Sequence, residues 1–247
     1  GVTMASSTQS VAESAGTVAV NVNRAGSSTG AVSVNYTTTN GTALAGTHYT
    51  TTNGTLNWAD GDTAPKVINV PITDNGAVNT ARTFTVTLSG AVGATLGTPA
   101  STTVTITDDD NTLQFSAATA TVAEGTATLN ITVTRLGGAA AIASVDWATA
   151  DGTALSGSDF GAQGVPVPLT GTLNWGAGDA ASKSIAIPIL NDLVVEGAKT
   201  FTVNLSNVAG TGASIGTNAT ITVTINDNDA GVVLSAANYN VNETGGT

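Results

Sequence analysis

The chain has 247 residues, of which 41% are hydrophobic and 9% charged, and its 17 acidic and six basic residues give a net charge of −11 at pH 7. This length is sufficient for two domains with hydrophobic cores. The acidic balance argues against nucleic acid and anionic lipid as partners and favours cations, and the absence of cysteine excludes disulfides and thiolate metal sites.

Alternating apolar and polar residues predict strands along the whole chain. In the first half, apolar residues recur at every second position in the stretches 18–22, 32–36, 68–72, 84–88 and 104–106. A period of two buries one face of each strand and exposes the other. Because no helical period of comparable length occurs, the pattern predicts an all-β chain of antiparallel two-sheet sandwiches.

The second half of the chain repeats the first half. "NGTALAGTHY" (40–49) returns as "DGTALSGSDF" (151–160), "RTFTVTLS" (82–89) as "KTFTVNLS" (199–206), and "TVTITDDD" (103–110) as "TVTINDND" (222–229). The offset grows from 111 to 117 and then to 119 residues, so six residues enter the loop 161–170 and two more enter the loop before the last strand. Two copies of one fold are therefore expected.

Domain boundaries follow from this repeat. We predict one sandwich at residues 1–111, a second at 112–230 and the first strand of a third copy at 231–247, since 232–244 resembles the openings 2–14 and 113–125. Connections of two residues, 111–112 and 230–231, predict a stiff string of domains. Residues 1–20 lack the pattern of a signal peptide, so we expect either a processed chain or an excised segment.

Acidic residues crowd the end of the last strand in each copy. Side chains alternate along a strand, so Asp108 and Asp110 are expected on one side and Asp109 on the other, and Asp227 and Asp229 repeat the same-side pair. Such carboxylates repel each other unless a cation lies between them, and Ca²⁺ accepts irregular sets of carboxylate, amide and carbonyl oxygens. The alternative is that these Asp and Asn residues only end strands and form turns.

The order of these motifs resembles that of Calx-beta repeats. The residues that carry the resemblance are the Glu ending the first strand, DGTALSGSDF, GTLNW, "NDLVVE" (191–196), "FTVNLS" and TVTINDND, and they span both copies. The resemblance implies tandem immunoglobulin-like antiparallel β-sandwiches that bind Ca²⁺ where one domain meets the next. It implies a stronger metal site in the second copy, formed by Glu124, Asp159, Asp192, Glu196, Asp227 and Asp229, with Asn191 as a further oxygen source.

The first copy departs from the family pattern. Glu13, Asp74, Asp108, Asp109 and Asp110 remain as a weaker predicted site, whereas His48, Asn79 and Arg82 stand where the second copy has Asp159, Glu196 and Lys199. Affinity for Ca²⁺ follows the number of charged ligands, so we expect the second copy to bind more tightly. Lys199 also departs from the acidic residue of calcium-rich members, and its charge is expected to lower the number of ions held.

No enzymatic function is expected. His48 is the only histidine, and the second copy has an Asp in its place, which argues against a catalytic triad; we interpret it as a solvated loop residue or a degraded metal ligand. Trp58, Trp147 and Trp175 lie within strand patterns and are expected in the cores.

The predicted function is a calcium-binding spacer or adhesive stalk of a secreted or cell-surface repeat protein of bacterial type, with neighbouring repeats and a host or surface ligand as partners. One alternative is a self-assembling filament subunit that donates the strand at 232–244. Another is an accessory module of a secreted carbohydrate-active enzyme.

Overall fold

The computed structural model describes residues 1–231, so the predicted first strand of a third copy, and with it the donor-strand hypothesis, lies outside the described residues. Within 1–231 the chain forms seventeen strands in four sheets and one short 3₁₀ helix, Glu13–Ala15. Among these residues no helix has the length and apolar character needed to cross a membrane. The all-β prediction is confirmed.

The first sandwich contains eight strands, β1 to β8. Their bounds are Val2–Met4, Thr8–Ala12, Thr17–Arg24, Val32–Asn40, Asn53–Trp58, Lys66–Pro71, Arg82–Val92 and Ser101–Thr107. One sheet has the order β1-β3-β6 and the other the order β2-β8-β7-β4-β5.

The second sandwich contains strands β9 to β17. Their bounds are Asn111–Phe115, Thr119–Ala123, Thr128–Gly137, Ala143–Ala150, Thr170–Trp175, Lys183–Pro188, Lys199–Ala209, Ala213–Ile215 and Thr220–Asn226. The sheets have the orders β14-β11-β9-β16 and β10-β17-β15-β12-β13, so the second copy repeats the plan of the first.

Each opening strand is split between the two sheets of its sandwich. Strands β1 and β9 pair antiparallel with β3 and β11, whereas β2 and β10 cross to the other sheet and pair parallel with the last strands β8 and β17. The registers end at Ala12 beside Thr107 and at Ala123 beside Asn226. Because parallel strands end at the same edge of a sheet, Glu13 and Glu124 are delivered beside the acids that follow β8 and β17.

The predicted alternation fills one core in each sandwich. Val18, Val20 and Val22 of β3 are buried, as are Phe84, Val86 and Leu88 of β7, and their counterparts in the second copy are buried too, except for the partly buried Leu129. Stacked rings lie at each centre, with centroids 4.2 Å apart for Tyr49 and Phe84 and 4.1 Å apart for Phe160 and Phe201. Burial of such rings supplies much of the hydrophobic stabilisation of a core this poor in aromatic residues.

Two of the three tryptophans are core residues. Trp58 and Trp175 are both 1% exposed, and their indole N–H groups donate to the carbonyl oxygens of Ala64 and Ala181. The prediction is wrong for Trp147, which is only half-buried. This residue packs at the core margin against the edge strand β13, where Gly171 leaves room for its ring.

The two sandwiches are joined by three aspartates. Strand β8 ends at Thr107 and β9 begins at Asn111, which the sequence-based boundary assigned to the first copy. Asn111 is fully buried and pairs with Gly137 of β11 and Ala213 of β16. Residues 111 and 112, which the sequence suggested as the linker, therefore belong to strand β9, and the three aspartates form the connection.

Replacing Phe201 with alanine is expected to destabilise the second sandwich by about 3–5 kcal/mol, because it leaves a cavity under Phe160 in a fully packed core. Hydrogen exchange of amides in β11 and β14 would report unfolding of this sandwich separately from the first. The control Val167→Ala, at a side chain that is 54% exposed, should cost less than about 0.5 kcal/mol. Equal protection in both variants would contradict the assigned core.

Candidate functional site

Three carboxylates meet at the end of the first sandwich where the second begins. Glu13 follows β2, and Asp108 and Asp110 follow β8. One oxygen of each side chain lies within 4.8 Å of one oxygen of both others, and these residues are called the first acid cluster. The predicted arrangement, in which Asp108 and Asp110 share a side and Asp109 does not, is what the structure shows.

The first acid cluster brings three acidic side chains together, two of them deeply buried and Asp108 half-buried. Glu13 is 4% exposed and Asp110 is 2% exposed. With the three carboxylates ionised, no donor among residues 1–231 reaches Glu13 Oε1, Asp108 Oδ1 or Asp110 Oδ2. Burial is the largest cause that raises the pKa of Glu13 to about 7, followed by the hydrogen bond that the protonated Glu13 carboxyl donates to Asp110 and by the charge of Asp110. Burial also raises the pKa of Asp110. Both shifts show that the ionised cluster is costly without a compensating positive charge.

The polar contacts around the cluster satisfy only part of its oxygens. Asn75 Nδ2 donates to Glu13 Oε2 at 3.1 Å, and the Asn79 amide N–H donates to Asp108 Oδ2 at 2.9 Å. Asp74 accepts from the amide of Gly76 at 3.3 Å and acts on the cluster through its charge, which raises the pKa of Asp110.

Asp109 lies outside the cluster. Its carboxylate accepts from the amide and the hydroxyl of Ser14 on the other side of the strand end. Of the five residues predicted for this site, three converge, Asp74 is a charged neighbour, and Asp109 has a capping role.

A second acid cluster occupies the same place in the second sandwich. It consists of Glu124, Asp192 and Asp229, again with one oxygen of each within 4.8 Å of the others. Glu124 Oε1 accepts from the Asp192 amide at 2.9 Å, and burial raises the pKa of both Glu124 and Asp229. Asp229 Oδ2 is a buried oxygen that no donor in the described part of the chain contacts.

Lys199 forms ion pairs with two of the six residues predicted for this second site. Its ammonium lies 2.8 Å from Asp159 Oδ1 and forms a second ion pair with Glu196. These two carboxylates raise the pKa of Lys199, so it stays charged. The sequence predicted that the charge of Lys199 would lower the number of ions held here, but it did not identify the partners of Lys199, because Asp159 and Lys199 are 40 residues apart and meet only when β12 and β15 pair.

Asp227 binds the loop between β14 and β15, which carries Asp192 of the second acid cluster. Its two oxygens accept from the amides of Glu196 at 2.9 Å and Asp229 at 3.1 Å. These hydrogen bonds lower the pKa of Asp227, with the bond from Glu196 as the largest cause. Asp108 accepts from Asn79 in the same way, so this capping role belongs to both copies.

His48 has a structural role in the first copy. Its Nδ1 accepts from the Leu44 amide at 2.9 Å, as Asp159 Oδ2 accepts from the Leu155 amide at 2.6 Å. The ring is buried, so the expectation of a solvated loop residue is wrong. Where the second copy has its lysine, Arg82 Nη2 lies 3.4 Å from Asn79 Oδ1.

The donor set of each cluster fits a hard divalent cation. Ca²⁺ prefers carboxylate oxygens as ligands, and each cluster provides three that are mutually close, with at least one buried oxygen that has no donor among residues 1–231. An imidazole or thiolate site for softer metals is absent from both clusters, as their membership shows.

Comparison with known proteins identifies relatives of both halves. The family model described as the Calx-beta domain matches residues 1–110 and 108–229. Sodium/calcium exchanger 1 of Canis lupus familiaris is 31% identical over 211 residues, covering 76% of this chain, and the protein of Rattus norvegicus is 30% identical over 215 residues, covering 78%. The chain spans only about a fifth (21%) of the length of these relatives.

Solved structures with a similar course of the chain include CBD12 from CALX1.2 and the calcium binding domain CBD12 of CALX1.1. The first has a TM-score of 0.47 at 22% identity and covers 91% of this chain and 99% of that one. The second has a TM-score of 0.48 at 21% identity and covers 90% and 98%.

In EDTA, Glu13→Gln is expected to make the first sandwich more stable at pH 8 and to leave it nearly unchanged at pH 5. The pKa of Glu13 is about 7 in the folded chain against an ordinary 4.5, so its stabilising protonated form is retained below pH 4.5 and lost as the pH rises to about 7. The gain at pH 8 should be about 1–3 kcal/mol, measured by urea unfolding. Equal stability of both proteins at pH 8 would show that Glu13 ionises without cost.

Proposed function

The chain belongs to the Calx-beta family, and from this premise we propose that it is a calcium-binding module in which each sandwich holds a cation at its acid cluster. The relatives named as exchangers are about five times longer than the matched region, so their transport activity is not carried over. The proposal concerns the two sandwiches alone.

The observation that carries the proposal is the set of buried carboxylate oxygens without donors. Two unit charges 4 Å apart repel by about 4 kcal/mol at an effective dielectric constant of about 20. Three carboxylates converge in each cluster, and a chain with a net charge of −11 has few cations of its own to place there. A divalent cation removes the repulsion and satisfies the unpaired oxygens at once, which supports the proposal over ordinary turn formation.

We further propose that the first cluster binds Ca²⁺ more tightly than the second. The sequence-based order, in which the second copy is stronger, counted Asp159 and Glu196 as ligands, and both are ion-paired with Lys199. Counting donors among residues 1–231 only, the first cluster has three buried oxygens without donors, whereas the second has one. A bound cation therefore satisfies more buried carboxylate oxygens in the first sandwich than in the second.

The biological role that fits these features is a stiff spacer in a secreted or cell-surface protein. Asp108 and Asp110 of the first cluster lie in the connection between the sandwiches, so a cation there would hold this connection against Glu13 at the end of β2. Without the cation, repulsion between Asp108, Asp110 and Glu13 favours bending at the connection. The extracellular location and contacts to further repeats or to a host or surface ligand belong to this proposal.

Calorimetric titration of Ca²⁺ into the EDTA-stripped chain is expected to show two binding events. Glu13→Gln should remove the tighter event and Glu124→Gln the weaker one, because each removes a charged ligand from one cluster. Asp109→Asn is the matched control, since this carboxylate bonds Ser14 and lies outside the cluster.

Magnesium added in place of calcium should produce little heat, since the clusters offer irregular oxygen sets rather than an octahedral cage. No heat and no rise in melting temperature at millimolar Ca²⁺ would reject the proposed function. Loss of the tighter event in Glu124→Gln instead of Glu13→Gln would reverse the proposed order of the two sites.

Lys199→Gln is expected to increase the number of calcium ions bound by the second sandwich, by up to one. The substitution frees the carboxylates of Asp159 and Glu196. Glu196 lies on the loop between β14 and β15 that also carries Asp192, and Asp159 lies on the loop between β12 and β13, where its carbonyl oxygen accepts from the Leu190 amide. Lys183→Gln provides the control, because Lys183 forms a similar ion pair with Asp179, 2.6 Å away, that involves neither cluster. The stoichiometry should be determined by titration at several protein concentrations, and an unchanged value in Lys199→Gln would show that Asp159 and Glu196 cannot hold an ion.

A further inference from the structure

The side chain of Asp110 contacts the first sandwich, whereas its backbone is hydrogen-bonded to the second. Its carboxylate lies in the first acid cluster. Its carbonyl oxygen accepts from the Gly138 amide at 2.7 Å, and the amide of the next residue, Asn111, donates to the Gly212 carbonyl at 2.7 Å. Both bonding partners are residues of the second sandwich, so that sandwich fixes the peptide unit that joins Asp110 to Asn111.

Gly212 also borders the carboxylate of Asp110. A Cβ atom at residue 212 would lie 2.6 Å from Asp110 Oδ1, 2.8 Å from the Asp109 carbonyl oxygen and 2.9 Å from the Asp110 α-carbon. Any side chain at this position would therefore displace the carboxylate or the loop.

The loop that carries Gly212 is a special feature of the second copy. It joins β15 to β16, and it contains the two residues by which the offset between the copies grows from 117 to 119. The inserted Thr211 and Gly212 provide the two carbonyl oxygens that Asn111 contacts, the first through its side-chain amide at 3.4 Å and the second through its backbone amide. The insertion thus lies where the second sandwich contacts the end of the first.

We propose that Gly212 is a positioning residue for the cation site of the first sandwich, which is complete only when the second sandwich is docked against it. The inserted loop holds the backbone on one side of Asp110 and leaves the space in which its carboxylate faces Glu13 and Asp108. This inference rests on the proposed calcium-binding function and adds that the affinity of the first cluster depends on a residue of the other sandwich.

The test compares Gly212→Ala with Gly178→Ala in the full chain. Gly178 has a similar left-handed conformation, φ +81° against +62° for Gly212, but a Cβ there would meet no atom within 4 Å. The two variants carry a similar backbone penalty, and only the first pushes against Asp110. Calorimetric titration with Ca²⁺, supported by melting in EDTA, separates a change in affinity from a loss of fold.

Gly212→Ala should weaken binding at the first cluster at least tenfold, leave binding at the second cluster within twofold, and melt in EDTA close to Gly178→Ala. Gly178→Ala should bind as the unmodified chain does. First-cluster affinity within twofold of the unmodified chain in a folded Gly212→Ala would overturn the inference. So would an equal loss in both glycine variants, or a loss accompanied by an equal weakening of the second cluster.

Deletion of Thr211 and Gly212 serves if Gly212→Ala does not fold. It returns the loop to the length found in the first copy and removes the acceptors of Asn111, so the same selective loss at the first cluster is expected. Unchanged binding in this variant would overturn the inference. Failure of the proposed function is distinguished by the unmodified chain, since it would show no calcium event that Glu13→Gln removes.

Discussion

The constraint on which the molecule depends is the convergence of carboxylates where two parallel strands end. In each sandwich the opening strand crosses from one sheet to the other and finishes beside the last strand, which brings Glu13 to Asp108 and Glu124 to the acids after β17. The hydrophobic cores fix this crossing, so the strand ends that carry the carboxylates stay next to each other. The packing of the cores thus keeps like charges close together, and a bound cation reduces the repulsion between them.

The two copies share this plan and differ in the charges placed around it. In the second copy, Lys199 neutralises Asp159 and Glu196, and it is a covalently attached cation with a fixed position. In the first copy, His48 caps the same turn as Asp159 without adding a negative charge. The second copy has more acids, but the first leaves more of its buried oxygens without donors. A count of acidic residues is therefore a poor measure of the charge available to a metal.

The junction joins the two sandwiches through residues that contact both of them. Asp108 to Asp110 are both the end of one sandwich and the connection to the next. Asn111 is already part of the buried sheet of the second sandwich. Any rotation between the sandwiches must change the geometry around Asp110, and a ligand that fixes Asp110 must resist that rotation. By thermodynamic linkage, a cation that resists rotation between the sandwiches binds more tightly when that rotation is already restricted.

The sequence alone determined the fold class, the two copies, most of the core and the same-side pair of Asp108 and Asp110, because a period of two and an internal repeat are local signals that any stable sandwich must obey. It also indicated Ca²⁺ from the crowding of acids. It did not determine which acids converge. The pairing of Lys199 with Asp159 and the hydrogen bond from the Glu196 amide to Asp227 depend on contacts between residues distant in the chain. Only the tertiary structure decides those, since the register of the sheets determines which of these residues meet, and it alone brings Gly212 beside Asp110.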